Sequence, residues 1–411
     1  MNRIILIGNG FDLAHGLKTS YANFIDWYWE EWGKQLSMSR NNIEDDGLCS
    51  FKLQDYHYDW FNILRFKYQI ITIFNHPEAL EIVEIAKQNP ELCDFSIKSP
   101  LFEKICEEID KPWCSIEDIY YTFLKSSNEP KQVNDELELI KGKLIEYLNS
   151  LKSPSFNPII KKQMLAPISQ EDIAISSKEK WNIMLKERLN YSTEEWQELI
   201  DGYTINKEIR PYSTQSVERF KKLFESSIHS NNIDDIDTGP YPTYTLPDNI
   251  MLLNFNYTDT ADMYLPKSDR FSVNHIHGSL SKPESVIFGY GDERDDEYEK
   301  LMKKNKNEYL RHIKSFRYLD ASNYRRMLAF IESDSYQICI MGHSCGITDR
   351  TLLSTLFEHP NCVSIKPYYH QIDENTDDYR KLVQNIARNF TDPRLMRDRV
   401  VGKERCEPLG R

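Results

Sequence analysis

The sequence predicts an α/β protein: a Rossmann-like, doubly wound, mainly parallel sheet of about six strands with a large helical insertion after the first strand. Three observations carry this. The apolar run Ile4–Ile7 stops at Gly8-Asn9-Gly10, the pattern of a buried parallel strand ending in a tight turn. Further short apolar runs occur at 250–255, 271–276, 285–288, 336–341 and 362–368, and most end in Gly, Asn or a polar turn. Between the first run and residue 250 the periodicity is helical.

The opening run is followed by Thr19 or Ser20, either of which suits a helix N-cap, and then by Tyr21–Leu36. Phe24, Trp27, Tyr28 and Trp32 fall on one face of that helix; packing of a core or insertion is their ordinary role. Similar periodicity places helices at 52–75, 78–88, 99–110, 115–126, 133–151 and 214–227. The stretch 152–213 reads as irregular, with short helical pieces such as Thr193–Leu199. The expected organisation is therefore a nucleotide-binding core from 1–21 and 250–390, a helical insertion at 22–249, and a C-terminal tail at 391–411.

Composition narrows the function classes. The 411 residues carry a formal net charge of -13, which opposes general nucleic-acid binding because that requires a basic face. No run of about 18 apolar residues exists to cross a membrane, and the N-terminus lacks a signal-peptide layout. A cytoplasmic protein is expected. The eight cysteines include no C-x-x-C pair, so no structural zinc module and no metal are expected.

Four segments at predicted strand ends combine residues able to do chemistry, and a parallel sheet gathers such ends on one edge. The first is Gly8-Asn9-Gly10-Phe11-Asp12. Its glycines suit either close approach to a phosphate or a turn that needs left-handed backbone. The second, Asn254-Phe255-Asn256-Tyr257-Thr258-Asp259, offers amides for a ribose hydroxyl or a water, or simply turn residues. The third is His275-Ile276-His277-Gly278-Ser279. Strand alternation puts both histidines on one side: as a metal pair lacking a third ligand, as satisfied structural residues, or with one as a general base.

The fourth, Gly342-His343-Ser344-Cys345-Gly346, fits the nucleophile-elbow pattern. A hydrolase of that kind needs an acid and then a histidine further along. Here Asp373, Glu374, Asp377 and Asp378 follow both His359 and His370, leaving only Asp349 or Glu358 as the acid. Phosphate or ribose binding at Ser344 is the other reading. The acidic run Asp292–Glu297 reads as a solvated loop rather than a nuclease's metal site.

Together these segments resemble the AbiH family of bacterial abortive-infection proteins. The carrying residues are Ile7–Tyr21, Asn254–Thr258, His275–Gly278, Gly342–Ser344 with Asp349, and Trp113–Glu117. The order of motifs is also similar to that of sirtuin-like NAD-binding domains, without their cysteine-pair zinc module. That resemblance implies Gly8, Asn9, Gly10, Phe11 and Asp12 about the pyrophosphate and ribose. It implies Asn256 at the nicotinamide ribose, His277 with Gly278 as the general-base segment, and Gly342 with Ser344 on the adenosine side. The implied role is an anti-phage effector that hydrolyses NAD, with a phage protein as trigger and a homo-oligomer as its assembly. The alternatives are a non-catalytic nucleotide- or phage-sensing module, and a serine hydrolase or nuclease using the 342–344 region.

Overall fold

A computed structural model describes residues 1–38, 43–53, 76–88, 93–109, 115–189, 195, 244–264 and 268–411. It is an α/β structure around a parallel five-stranded sheet. The strands are β1 (Asn2–Ile7), β2 (Ile250–Asn254), β3 (Phe271–His275), β4 (Tyr336–Met341) and β5 (Cys362–Tyr368). Their order across the sheet is β5-β4-β1-β2-β3. From the central β1 the chain winds outward through β2 and β3, then restarts on the other side of β1 with β4 and β5.

The sheet is buried on both faces, as parallel sheets require. Ile5 and Ile7 of β1 join Leu252, Cys339, Met341 and Val363 in a core with Trp181, Met184 and Met164. Ile4, Leu6, Ile338 and Ile340 alternate onto the opposite face and are equally buried. Helix Asn323–Ser333 lies against β3, and helices Arg350–Glu358, Tyr379–Ala387 and Pro393–Arg399 lie against β5. Side chains of the first of these close the outer edge of β3: Asn323 Nδ2 donates to the His275 carbonyl and Arg326 to that of Val273.

The expected sixth strand does not form. Pro283–Ser285 makes a 3₁₀ turn, and Val286–Phe288 runs on as irregular, buried backbone. A run of three apolar residues with proline before and glycine after is too short to pair.

The chain divides into two compact units, one of 1–17, 153–286 and 318–411, the other of 18–152 and 287–317. These boundaries differ from the expected ones. The segment 153–189 is not irregular: it forms helices Pro158–Met164 and Lys178–Leu189, whose Met164 and Trp181 belong to the sheet's core. The C-terminal residues dock on the β5 edge, where the Val401 amide donates to Ile365 and the Leu409 amide to Tyr369.

The second unit contains helices Tyr21–Met38, His76–Gln88, Pro100–Glu108, Ile116–Ser126 and Pro130–Ser150. Ser20 is the N-cap expected for the first of these, its Oγ accepting the Asn23 amide. Phe24, Tyr28 and Trp32 are buried along the expected stripe. The unit is not wholly helical: Ile43–Asp45, Cys49–Leu53 and Cys93–Ile97 form an antiparallel sheet. The helix expected at 52–75 therefore begins as strand, and its remainder lies outside the described residues. So do Trp113, the helix expected at 214–227 and nearly all of 193–199. The acidic run near 295 is not simply solvated: Asp292 is buried, and Asp295 caps helix Asp296–Lys303.

Candidate functional site at the carboxyl edge of the sheet

The carboxyl ends of β1, β2, β3 and β4 lie side by side. Ile7 is level with Met341, and Asn254 with His275. This brings together the four segments singled out in the sequence, all within the first unit. The winding reverses between β1 and β4, and that is where open α/β sheets take their ligands.

At the reversal two loops pack backbone on backbone. The Gly10 amide donates to the Gly342 carbonyl at 2.8 Å and the Phe11 amide to that of Gly8 at 2.8 Å. A Cβ on Gly8 would lie 2.5 Å from the His343 Cα, and one on Gly342 would lie 2.0 Å from the Phe11 nitrogen. Gly342 also has a φ of +78°, a left-handed conformation that favours glycine. The glycines at this turn are thus required first by the neighbouring loop.

The Asn256 side chain ties β2 to the same turn, donating from Nδ2 to the Gly8 carbonyl at 3.0 Å. Asn9 is exposed at the start of helix Asn9–Ala14, and Phe11 is wholly buried with its ring against His15 and Tyr264. Asp12 does not cap that helix. It is buried, its Oδ2 accepts from Thr258 Oγ1 at 2.7 Å, and its Oδ1 has no hydrogen-bond partner. Burial raises the Asp12 carboxyl above the ordinary carboxylate range, against the opposing effect of Thr258, Thr260, His15 and Asn256.

His275 and His277 do not share one side. β3 ends at His275, and a turn carries His277 elsewhere. His277 is buried, with Nε2 3.1 Å from Tyr318 Oη and 3.3 Å from Asp349 Oδ1. His343 Nε2 stands 3.6 Å from the other oxygen of the same carboxylate. The Phe255 ring packs against both imidazoles, at 5.1 Å and 4.1 Å between centroids. Two imidazoles, one carboxylate and one phenol thus form a single buried cluster. Gly278 follows with φ +82°, and a Cβ there would strike the Ser285 carbonyl oxygen at 2.2 Å.

His275 instead meets Asp262 through Nε2 at 3.1 Å. Asp259, Asp262 and His275 lie close enough to hold a cation. The hydrogen bonding opposes it. Asn254 is oriented by accepting the Asn256 amide on Oδ1, so its Nδ2 donates to His275 Nδ1 at 3.2 Å. The ring proton then sits on Nε2, whereas a ligating imidazole carries it on the nitrogen away from the metal.

In the fourth segment the left-handed residues are Gly342 and Cys345, the latter with φ 54°, and not Ser344. Ser344 is exposed, its carbonyl accepting from Asn385. This departs from an elbow, in which the nucleophile itself takes the strained conformation.

The chain matches the family model described as "Bacteriophage abortive infection AbiH" over residues 4–370. It belongs to the AbiH family. No curated protein and no solved structure matches the chain. Membership gives this AbiH protein an anti-phage abortive-infection role. Among the described residues no helix is long and apolar enough to cross a membrane.

In the sequence His343 stood only as a residue of the fourth motif, and Asp349 as a family marker or a poor hydrolase acid ahead of His359 or His370; Tyr318 carried no reading. His343 and Asp349 flank the loop after an apolar run, which is a usable signal. Tyr318 comes from a segment with no pattern at all.

Proposed function

We propose that this AbiH protein acts in abortive infection by binding and hydrolysing NAD at the carboxyl edge of its sheet. The observation that carries the reading is the convergence of four strand ends on one edge, with a buried imidazole–carboxylate pair, His277 and Asp349, among them. In the reaction a water attacks the anomeric carbon of the nicotinamide ribose. The carbon–nitrogen bond breaks, its electron pair neutralises the pyridinium, and the water's proton passes to His277. Nicotinamide and ADP-ribose leave. Asn256 holds the glycine turn and orients ribose or water beside it; Asp12 and Ser344 supply polar contacts to the nucleotide.

The test is incubation of the purified protein with NAD, with and without lysate of phage-infected cells, following nicotinamide and ADP-ribose. His277→Ala is expected to slow release about 10²–10⁴-fold, the usual contribution of a general base. No release in either condition, or undiminished release from both His277→Ala and Asn256→Ala, overturns the reading.

One observation favours a second reading, a sensor that binds nucleotide without turnover. The Gly10 amide and Asn256 Nδ2, both expected to face a ligand, make hydrogen bonds within the protein. NAD bound and recovered unchanged is its signature.

A further inference from the structure

We propose that Asp349 is a positioning residue which holds the His277 imidazole in the tautomer with the ring proton on Nε2, the tautomer that the Cys345 amide sets in the neighbouring His343. Its catalytic meaning rests on the reading of His277 as proton acceptor; its structural content does not.

The Cys345 backbone amide donates to His343 Nδ1 at 3.0 Å, so that nitrogen presents a lone pair. In the neutral ring the proton is therefore on Nε2, the atom 3.6 Å from Asp349 Oδ2. At His277 the same carboxylate decides the matter. An ionised carboxylate only accepts. A lone pair on His277 Nε2, 3.3 Å from Oδ1, would face another lone pair. A proton there converts repulsion into a charge-assisted hydrogen bond, with Tyr318 Oη at 3.1 Å as second acceptor.

Burial makes the choice sharp. His277, His343, Asp349, Tyr318 and Phe255 are all less than a tenth exposed, so water cannot compensate a wrong tautomer. Phe255 packs on both rings and limits their reorientation. The consequence is that the basic lone pair of neutral His277 lies on Nδ1. A proton taken there makes an imidazolium whose other ring nitrogen lies 3.3 Å from a carboxylate oxygen.

The experiment is long-range ¹H–¹⁵N NMR of the full-length protein labelled at histidine, with His277→Gln and His343→Gln for assignment. In the wild type both rings are expected to show the Nε2–H pattern. Asp349→Ala is expected to leave His343 unchanged, because the Cys345 amide holds it, and to shift His277 toward the Nδ1–H form, because Tyr318 then donates to Nε2. Asp349→Asn, which keeps an acceptor without the charge, is expected to restore Nε2–H. Nδ1–H at His277 in the wild type overturns the proposal, as does an unchanged His277 in a folded Asp349→Ala. If Asp349→Ala does not fold, the wild-type pattern together with Asp349→Asn decides. Where NAD turnover is present, Asp349→Ala should lower kcat about 10²–10⁴-fold with KM near the wild-type value. Absence of nicotinamide release bears on the proposed function alone, since the tautomer is read without substrate.

Discussion

The backbone amide of Gly10 donates to the carbonyl oxygen of Gly342, joining the first turn of the chain to a loop more than three hundred residues later. The joint leaves no space for a Cβ at Gly8, Gly10 or Gly342. Gly342→Ala should therefore destabilise the protein through both its left-handed φ, about 1–2 kcal/mol for an L-residue, and steric overlap, about 1–3 kcal/mol more. Gly16→Ala is the control. Gly16 has φ +77° with nothing within 4 Å of the added Cβ, so only the first cost applies. Urea denaturation of the two variants should show Gly342→Ala clearly the less stable.

Asp12 makes the protein's stability depend on pH. Its carboxyl is raised in the folded state, chiefly by burial, so the folded protein binds a proton more readily than the unfolded chain does. Its burial therefore costs stability at neutral pH, and the cost fades as pH falls through the raised value. Asp12→Asn should be the more stable protein at pH 7, with the gap closing toward pH 4. Denaturation midpoints at three pH values measure this, and a gap that widens on acidification contradicts it.

His312 has the opposite sign. Burial depresses it from 6.5 to about 4, outweighing the nearby Glu138 carboxylate. The unfolded chain takes up the proton first, so this contribution to stability is intact above 6.5 and is lost as pH falls toward about 4. His312→Gln should flatten the stability profile across that window, with little change in slope above pH 7.

Lys314 and Glu117 form a buried ion pair at 3.0 Å, and Glu117 also accepts the Gly289 amide. Lys314→Met takes the ammonium away from a buried carboxylate and should cost about 3–5 kcal/mol. The double variant with Glu117→Leu should recover much of that loss. Equal losses in single and double variants would show that the pair itself is not the source.

Much of the sheet was legible because central parallel strands are short apolar runs punctuated by Gly or Asn, as at Ile4–Gly8 and Tyr336–Gly342. The small antiparallel sheet was not. Its strands carry Glu44, Asp45, Ser50, Lys52, Asp94 and Ser96, which read as loop. Strand order was equally hidden, since β1 pairs with partners about 250 and 330 residues away. At the site, the segments were found because glycine, asparagine and histidine at strand ends are conspicuous. The His277–Asp349 pairing was not, because it depends on where the chain re-enters the sheet. Alternation also misplaced His277, because β3 stops two residues earlier.

The position of β1 has a consequence for truncation. β1 is the middle of the sheet, and its neighbour β4 follows in the chain only at residue 336. His343 and Asp349 lie later still, so a chain cut before residue 336 leaves its central strand unpaired on one side and lacks the cluster at the sheet's edge.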